Sequence, residues 1–578
     1  MVLPEGCRAR RVRPPRRPLR VTRPAKEPCV QRASAPANPA SVSVHRRARR
    51  CAGALLALLG LSLALAGAGA PFLVFHVDAV ARLDLLAMLE AGRLPNVEAA
   101  FAEGVRIPGV TLFLAATPVI YPRLHDPQSE HGPGRVGFCG FDRVAERPVS
   151  ELEVFLELLG AVPRRAVTSF VHGIPGLDGL SAASMRNLPA LLERYEVVEF
   201  FWFSTDALGH LVGAEAHAAS LERFDAALGR ILSELDLERL NLLLYTDHGL
   251  TFTTEMVDQD AIVRERLGST VRHVAYPNVY LHDPRQAPSA ARALAADGGF
   301  DTAFYRLGDD VEGFVDGEFV RFERVGETIR YSATGDPLGY AELGYGAEAL
   351  TCDEWLRLTI DARYPGTPVL VSWYLANPQA GDVVVTFTPP RIPLTTRATQ
   401  GQHAGLVDTD LGVLVLARGP DLTALMGREA LWLHELYLDL PVVREAPLPE
   451  RELHTLGLSF DLERLAPSAE LRWSPAYRQR LGVALTPTEA DAWAEVDLFS
   501  SYLTRWWVGG GLRLDVERGL DPLVRAEATL DLGPARLALT GCGTPTGWSL
   551  GLALRVALDG GWGATWSAPA AVGVSVEW

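Results

Sequence analysis

Three acids in this chain stand where apolar runs end, which is where open α/β sheets present groups to a ligand. The run Phe201-Trp202-Phe203 breaks at Ser204-Thr205, and Asp206 and His210 follow, four positions apart around Gly209. Leu242-Leu243-Leu244-Tyr245-Thr246 runs into Asp247-His248-Gly249, with glycine allowing the turn, and Phe72-Leu73-Val74-Phe75-His76-Val77 runs into Asp78. A further imidazole, His403, lies in Gly401-Gln402-His403-Ala404-Gly405, just ahead of the apolar stretch Leu411–Ala417. A hydroxyl comes from Thr117, before Pro118, with Thr111 an upstream competitor. Carboxylates beside neutral imidazoles, with no cysteine among them, suit zinc and also accommodate manganese or iron. Each residue alone has a plainer use: Asp78 or Asp206 as a helix cap, His210 facing solvent, Thr117 as a turn residue. Their recurrence at strand ends is what favours chemistry.

The elements that must position these groups alternate. Phe72–Val77, Val105–Phe113, Phe201–Phe203, Leu242–Thr246 and Leu411–Ala417 read as buried strands. Helical patterns fall at Leu83–Ala91, Val97–Glu103, Leu152–Leu159, Leu188–Glu193, Glu215–Leu235, Ala291–Ala296 and Cys352–Asp361. A β-leaning stretch around Phe300–Tyr331 predicts an insertion at about 285–380, after which Asp382–Phe387 is expected to resume the alternation. The fold class this predicts is α/β, with a mostly parallel central sheet flanked by helices across 71–445.

Residues 1–70 stand apart as a leader. An Arg- and Pro-rich arm, or a start assigned too early, precedes His45-Arg46-Arg47-Ala48-Arg49-Arg50, the apolar run Ala52–Leu65 and the small residues Ala66–Ala70. Basic, apolar and small parts in that order predict a secretory signal, and the run is short for a bilayer-spanning helix. The expected destination is therefore outside the cytoplasm: secreted, periplasmic or in the cell envelope. Without the leader the net charge of −15 falls to about −27, since the leader carries 14 of the basic and 2 of the acidic side chains. So acidic a surface excludes nucleic acid as an expected partner. Cys139, Cys352 and Cys542 remain, enough for one disulfide at most.

In their order along the chain, Asp78, Thr117, the Asp206/His210 pair, Asp247-His248-Gly249 and His403 resemble the alkaline phosphatase superfamily, most closely its type I phosphodiesterase/nucleotide pyrophosphatase branch, over about residues 71–420. The resemblance implies two divalent metal ions, zinc first. Asp206, His210 and His403 would hold one, and Asp78, Asp247 and His248 the other, with Thr117 ligating beside it. It further implies that Thr117 is the catalytic nucleophile, giving a covalent phospho-threonine that water hydrolyses. Two neighbouring cations stabilise both the attacking and the leaving oxygen of an in-line phosphoryl displacement. The expected activity is hydrolysis of a phosphodiester or pyrophosphate bond in a small phosphorylated substrate. The alternatives are a phosphomonoesterase of the same superfamily and an inactive envelope protein. The sequence departs from the family where a Thr-Gly pair would stand: Thr117-Pro118-Val119-Ile120-Tyr121-Pro122-Arg123 leads instead to His131-Gly132. No sulfatase signature surrounds Thr117. Arg123 and Arg135 are candidates for a phosphate oxygen, although a surface role is the commoner fate of either.

Past residue 455 the period changes to two. Trp548, Leu550, Leu552, Leu554, Val556 and Leu558 alternate with small or polar residues, and Leu481-Val483-Leu485, Leu512-Leu514-Val516 and Val572-Val574-Val576-Trp578 do the same. Eight or nine such segments fit 455–578. They predict an all-β C-terminal domain, either a sandwich with core tryptophans or an outer-membrane barrel with Trp506, Trp507, Trp548, Trp562, Trp566 and Trp578 as aromatic girdles. The barrel reading would make an outer membrane the second partner.

Overall fold

The computed structural model describes residues 69–578 apart from 126–139, 150–177, 395–399, 446–453 and a few short turns. The predicted helix at Leu152–Leu159, His131-Gly132, Arg135, Cys139 and Trp578 lie outside the described residues.

A six-stranded sheet carries the first part of the chain. Its strands are β1 (Phe72–Val77), β2 (Val105–Val110), β3 (Val197–Trp202), β4 (Asn241–Thr246), β5 (Gly412–Arg418) and β6 (Leu431–Trp432). Their order is β6-β2-β5-β4-β1-β3. β1 pairs in parallel with β3 and β4, and β2 with β6, while β5 runs antiparallel to both its neighbours. The continuous apolar runs follow from burial on both faces. Phe72, Val74, Leu243 and Tyr245 join one core cluster, while Leu73, Phe75, Leu242 and Leu244 join the other. Helices α1 (Arg82–Glu90), α2 (Thr117–His125), α3 (Ser204–Leu211) and α4 (Ala214–Leu232) follow the strands. α4 buries Leu221, Phe224, Leu228 and Ile231, the i, i+3, i+7, i+10 stripe of an amphipathic helix, and Phe224 meets Phe75 edge-on at 5.4 Å.

A second sheet of eight strands follows, running from Val271–Ala275 to Val383–Thr386. One expectation fails here. Val383–Thr386 does not rejoin the α/β alternation; it pairs antiparallel with Thr302–Leu307 and Asn278–Leu281 inside this second sheet. A buried VVVT run reads alike in either sheet, because burial on both faces erases the period.

The C-terminal region is one closed antiparallel barrel of ten strands, not a pair of packed sheets. Its strands are β7 (His454–Asp461), β8 (Ala466–Ala476), β9 (Gln479–Leu485), β10 (Glu489–Ser500), β11 (Thr504–Asp515), β12 (Gly519–Asp531), β13 (Ala535–Thr544), β14 (Gly547–Ala557), β15 (Trp562–Ala568) and β16 (Ala571–Glu577). β7 pairs with β16 through Leu458↔Val574 and its neighbours, which closes the ring. Trp507, expected in an outer girdle, points inward and is buried, because it alternates with the outward Trp506 and Val508. Among the described residues no helix is long and apolar enough to cross a membrane, which leaves strands out of account. Cys352 and Cys542 are free thiols.

Candidate active site

Parallel strands β1 and β4 are in register, so Val77 sits opposite Thr246 and the residues after them, Asp78 and Asp247, leave the sheet side by side. Both carboxylates are fully buried. The turn after Asp78 is held from three directions: Ala79 N–H donates to Asp247 Oδ1 at 3.2 Å, Thr205 Oγ1 donates to the Asp78 carbonyl, and His217 Nε2 lies 2.8 Å from the Ala79 carbonyl. Gly249 is required by close approach. A Cβ there would stand 2.0 Å from the Thr409 carbonyl oxygen.

Thr117 opens α2, and its hydroxyl donates to Asp247 Oδ2 at 2.8 Å, with both Asp78 oxygens 3.3 Å away and His248 Nε2 at 3.4 Å. Thr111 sits just past β2, buried, its N–H bonded to the Leu411 carbonyl, so Thr117 is the threonine at the acids. Asp206 and His210 face each other one turn apart on α3, with Oδ1 3.1 Å from Nε2. The segment bearing His403 is sewn to the Asp247 loop by the two-residue ladder Gly401↔Phe252 and Gln402↔Thr251. That ladder sets the His403 ring 4.3 Å from His248 and 5.1 Å from His210, joining the two halves of the site. Asp410 closes the loop, accepting from Gly405 N–H at 2.6 Å and from Thr251 Oγ1 at 2.7 Å.

Among the described residues, Asp206/His210/His403 and Asp78/Asp247/His248 are the two groups whose ligand atoms converge closely enough to hold a metal ion. These are the two triads expected from the sequence. The donor chemistry fits divalent cations. The ring nitrogens that face backbone are committed, His210 Nδ1 at 2.8 Å from the Gly401 carbonyl and His248 Nδ1 at 3.0 Å from the Gly249 carbonyl, so each Nε2 is the nitrogen turned to the carboxylates. Three buried carboxylates without a neighbouring Arg or Lys in the triads also need positive charge. Burial, then Asp247 and Asp206, push the Asp78 carboxyl well up. Burial raises Asp247 too, but His248 and His76 outweigh it and hold its carboxyl low. At Asp206 burial is likewise outweighed by His210, then His403, leaving it at about 2. Burial, His248 and His210 hold His403 well below the usual imidazole range, which keeps it neutral.

Several supporting groups escaped sequence reasoning. His76 is hidden inside the apolar run of β1, with Nε2 3.2 Å from Asp247 Oδ2. A titratable residue interrupting a doubly buried strand was the available signal. His217 and Asp410 gave none. Of the two arginines, Arg123 is half-buried on α2 and lies near enough to His434 to help burial lower that imidazole to about 3.

Buried paired acids and imidazoles around a threonine hydroxyl, at the strand ends of a mostly parallel sheet, define a hydrolase acting on phosphoric ester bonds. Residues 148–311 match the family model described as type I phosphodiesterase / nucleotide pyrophosphatase. Among solved structures, the chain is similar to murine ectonucleotide pyrophosphatase / phosphodiesterase 5, with 12% identity over 66% of this chain and 96% of that one and a TM-score of 0.41. It is also similar to phosphonoacetate hydrolase from Sinorhizobium meliloti 1021, with 13% identity, 65% and 95% coverage and a TM-score of 0.39. The human ectonucleotide pyrophosphatase / phosphodiesterase 5 gives 13% identity, 66% and 96% coverage and a TM-score of 0.35. No curated protein matches.

Proposed function

We propose that this protein is a metal-dependent phosphodiesterase or pyrophosphatase that works through a covalent phospho-threonine on Thr117. The observation that carries the reading is the Thr117 hydroxyl, buried and 2.8 Å from Asp247, between two triads of metal-ligand type. Asp206, His210 and His403 hold one divalent ion in this proposal, and Asp78, Asp247 and His248 the other, with Thr117 beside it. Bound there, such ions supply the positive charge that lowers the pKa of a ligating hydroxyl and stabilises charge on the transferring phosphoryl group. Asp247 holds the Thr117 hydroxyl at Oδ2 and orients its oxygen toward the phosphorus. The Thr117 oxygen forms the new bond to phosphorus as the bond to the leaving alcohol or phosphate breaks, and water then cleaves the phospho-threonine.

Zinc suits the N/O donor set best, with manganese and iron as alternatives. The substrate in this proposal is a small phosphorylated molecule, a class that includes the AMP bound in one murine relative's structure. The basic, apolar and small segments of the leader support a site of action that is secreted or in the cell envelope, attached to an outer membrane through the C-terminal β region. The test is metal analysis of the purified protein together with hydrolysis of a panel: bis-p-nitrophenyl phosphate, p-nitrophenyl phosphate and a dinucleotide pyrophosphate. Close to two divalent ions per chain and preference for the diesters are expected. A metal-free, inert protein overturns the proposal.

A further inference from the structure

The barrel is built inside out relative to a water-soluble one. Along β12, Asp521, Leu523, Arg525, Glu527 and Thr529 point inward while Leu520, Val524 and Ala526 point outward. The same polarity holds on its neighbours: Leu481, Leu512, Leu514, Leu539, Trp548 and Leu550 are exposed, Leu550 at 71%. Inside, Arg480, Glu495, Arg525 and Glu527 are buried. In water this exterior would be a contiguous apolar patch of a kind that monomeric soluble proteins avoid.

Six of the inward charges form one knot. Arg480 Nη2 lies 2.7 Å from Glu495 Oε2 and Nη1 3.0 Å from Glu527 Oε1, while Arg525 Nε reaches Glu495 Oε1 at 3.1 Å. Arg472 joins Glu527 at 2.8 Å and Glu470 at 2.7 Å. Three guanidinium groups thus meet three carboxylates, and the knot is neutral. It also crosses the barrel. Arg472 is on β8 and Glu527 on β12, four strands round a ring of ten, so their contact spans the interior and does not line its wall. Two tryptophans pack the knot from inside, with Arg480 4.3 Å above the Trp507 ring and Arg525 4.4 Å above that of Trp493.

We infer that the barrel spans a lipid bilayer as a sealed anchor, its apolar exterior against acyl chains and its interior closed by the neutral Arg–Glu knot. Ten is an even strand number, as bacterial membrane barrels have, and β10 to β14 hold 10 to 13 residues each, at or beyond the roughly 9–11 that a tilted strand needs to cross. The charge pattern gives the device its sense: pores keep their lumen open and solvated, whereas this lumen is filled by side chains that satisfy one another. The barrel therefore holds the catalytic region at a membrane surface and conducts nothing. The inference stands apart from the chemistry assigned to Thr117.

The full-length protein, purified in detergent, is mixed with vesicles of phosphatidylethanolamine and phosphatidylglycerol, the detergent is removed, and the vesicles are floated on a density gradient after an alkaline wash. The protein is expected to float, and planar bilayers of the same lipids to show no conductance steps. Leu550→Asp, on the lipid face, should lower the floated fraction several-fold while circular dichroism in detergent stays that of the parent. A protein that remains monomeric in buffer without detergent overturns the inference, as does a lipid-independent soluble oligomer, which would make the apolar face a contact between copies. So does unchanged flotation of Leu550→Asp. Discrete conductance steps overturn the seal. Hydrolysis of bis-p-nitrophenyl phosphate, followed in the same fractions, reports on the Thr117 site separately.

Discussion

The α/β region and the barrel each gather six ionisable side chains, most of them buried, and they balance them in opposite ways. Around Thr117, three Asp meet three His, and the acids outnumber any fixed positive charge. In the barrel, three Glu meet three Arg and nothing is left over. Burying an ion costs several kcal/mol unless a partner compensates. The barrel knot compensates itself and so needs no ligand. The knot at the strand ends does not compensate itself, and that imbalance is what suits it to the cations proposed for it.

The largest expected effect breaks the chemistry while leaving the charge imbalance untouched. Thr117→Ala should lower kcat/KM by about a thousand-fold or more, because the covalent route loses its oxygen, while metal content stays at the parent value. Thr117→Ser should recover part of the rate. Steady-state kinetics with bis-p-nitrophenyl phosphate and elemental analysis of the same samples measure both. A Thr117→Ala variant turning over at the parent rate would place the nucleophile elsewhere.

A matched pair of isosteric substitutions tests the comparison itself. Glu527→Gln takes from Arg472 and Arg480 one of the two carboxylates each of them meets, leaves the knot with one unmatched positive charge, and should destabilise the barrel by about 3–5 kcal/mol, read as urea midpoint shift in detergent. Asp78→Asn removes a carboxylate that burial and two neighbouring acids already oppose, so in metal-free protein it should raise the thermal midpoint, while metal binding falls. Opposite signs are expected. If both variants destabilise the apoprotein alike, the two knots are the same kind of structure and the contrast between them fails.

Most of this contrast was legible in the sequence, unevenly. The strand-end acids could be read because a parallel sheet buried on both faces yields unbroken apolar runs, and a charge that ends such a run stands out. The barrel's alternation was equally clear, but period two is common to sandwiches and barrels, and only the pairing of β7 with β16 decides closure. The direction of the alternation was hidden as well: Trp507 and Trp506 are neighbours, and which of them faces inward depends on the register of β11 against β12. Val383–Thr386 was misassigned because three valines and a threonine, all buried, carry no information about which sheet they join.

A smaller effect comes from Asp410, a buried acid outside both knots. Burial raises its carboxyl from 3.8 to about 6, against the lowering effect of Thr251 and the Gly405 amide. Between those values the folded protein keeps a proton that the unfolded chain has lost. Its contribution to stability is therefore complete below about pH 4, declines as pH rises toward 6, and is flat above. The carboxamide of an Asp410→Asn variant has the hydrogen-bonding pattern of the protonated acid, its nitrogen donating to Thr251 Oγ1 and its oxygen accepting from Gly405 N–H. The variant should be the more stable above pH 6 by something on the order of 2–3 kcal/mol, with the advantage vanishing below pH 4. Urea unfolding of metal-stripped protein across that range measures the difference, and a gap independent of pH would contradict the assignment.

The smallest expected effect is on His76, and it asks whether the knot at the strand ends relies on support from behind. The ring is stacked on Tyr245 with centroids 4.8 Å apart and lies parallel to Tyr121 at 5.6 Å, so it has one orientation, with Nε2 3.2 Å from Asp247 Oδ2. That is the oxygen to which Thr117 donates. His76 thus positions the acid from within the sheet and touches neither the hydroxyl nor the imidazoles of the triads. Groups of this kind, behind a metal ligand, typically contribute 10–100-fold in metal affinity or activity. His76→Phe keeps the aromatic stack and removes the nitrogen. It should lower kcat by roughly that factor with KM little changed, because Asp247 loses its orientation while the substrate's own contacts remain. His76→Gln, which restores a donor to the strand, should recover more of kcat than Phe does. Equal losses in both variants would mean that His76 serves β1 as packing alone and that the Asp247 loop, through Ala79 and His248 N–H, is sufficient to hold the carboxylate.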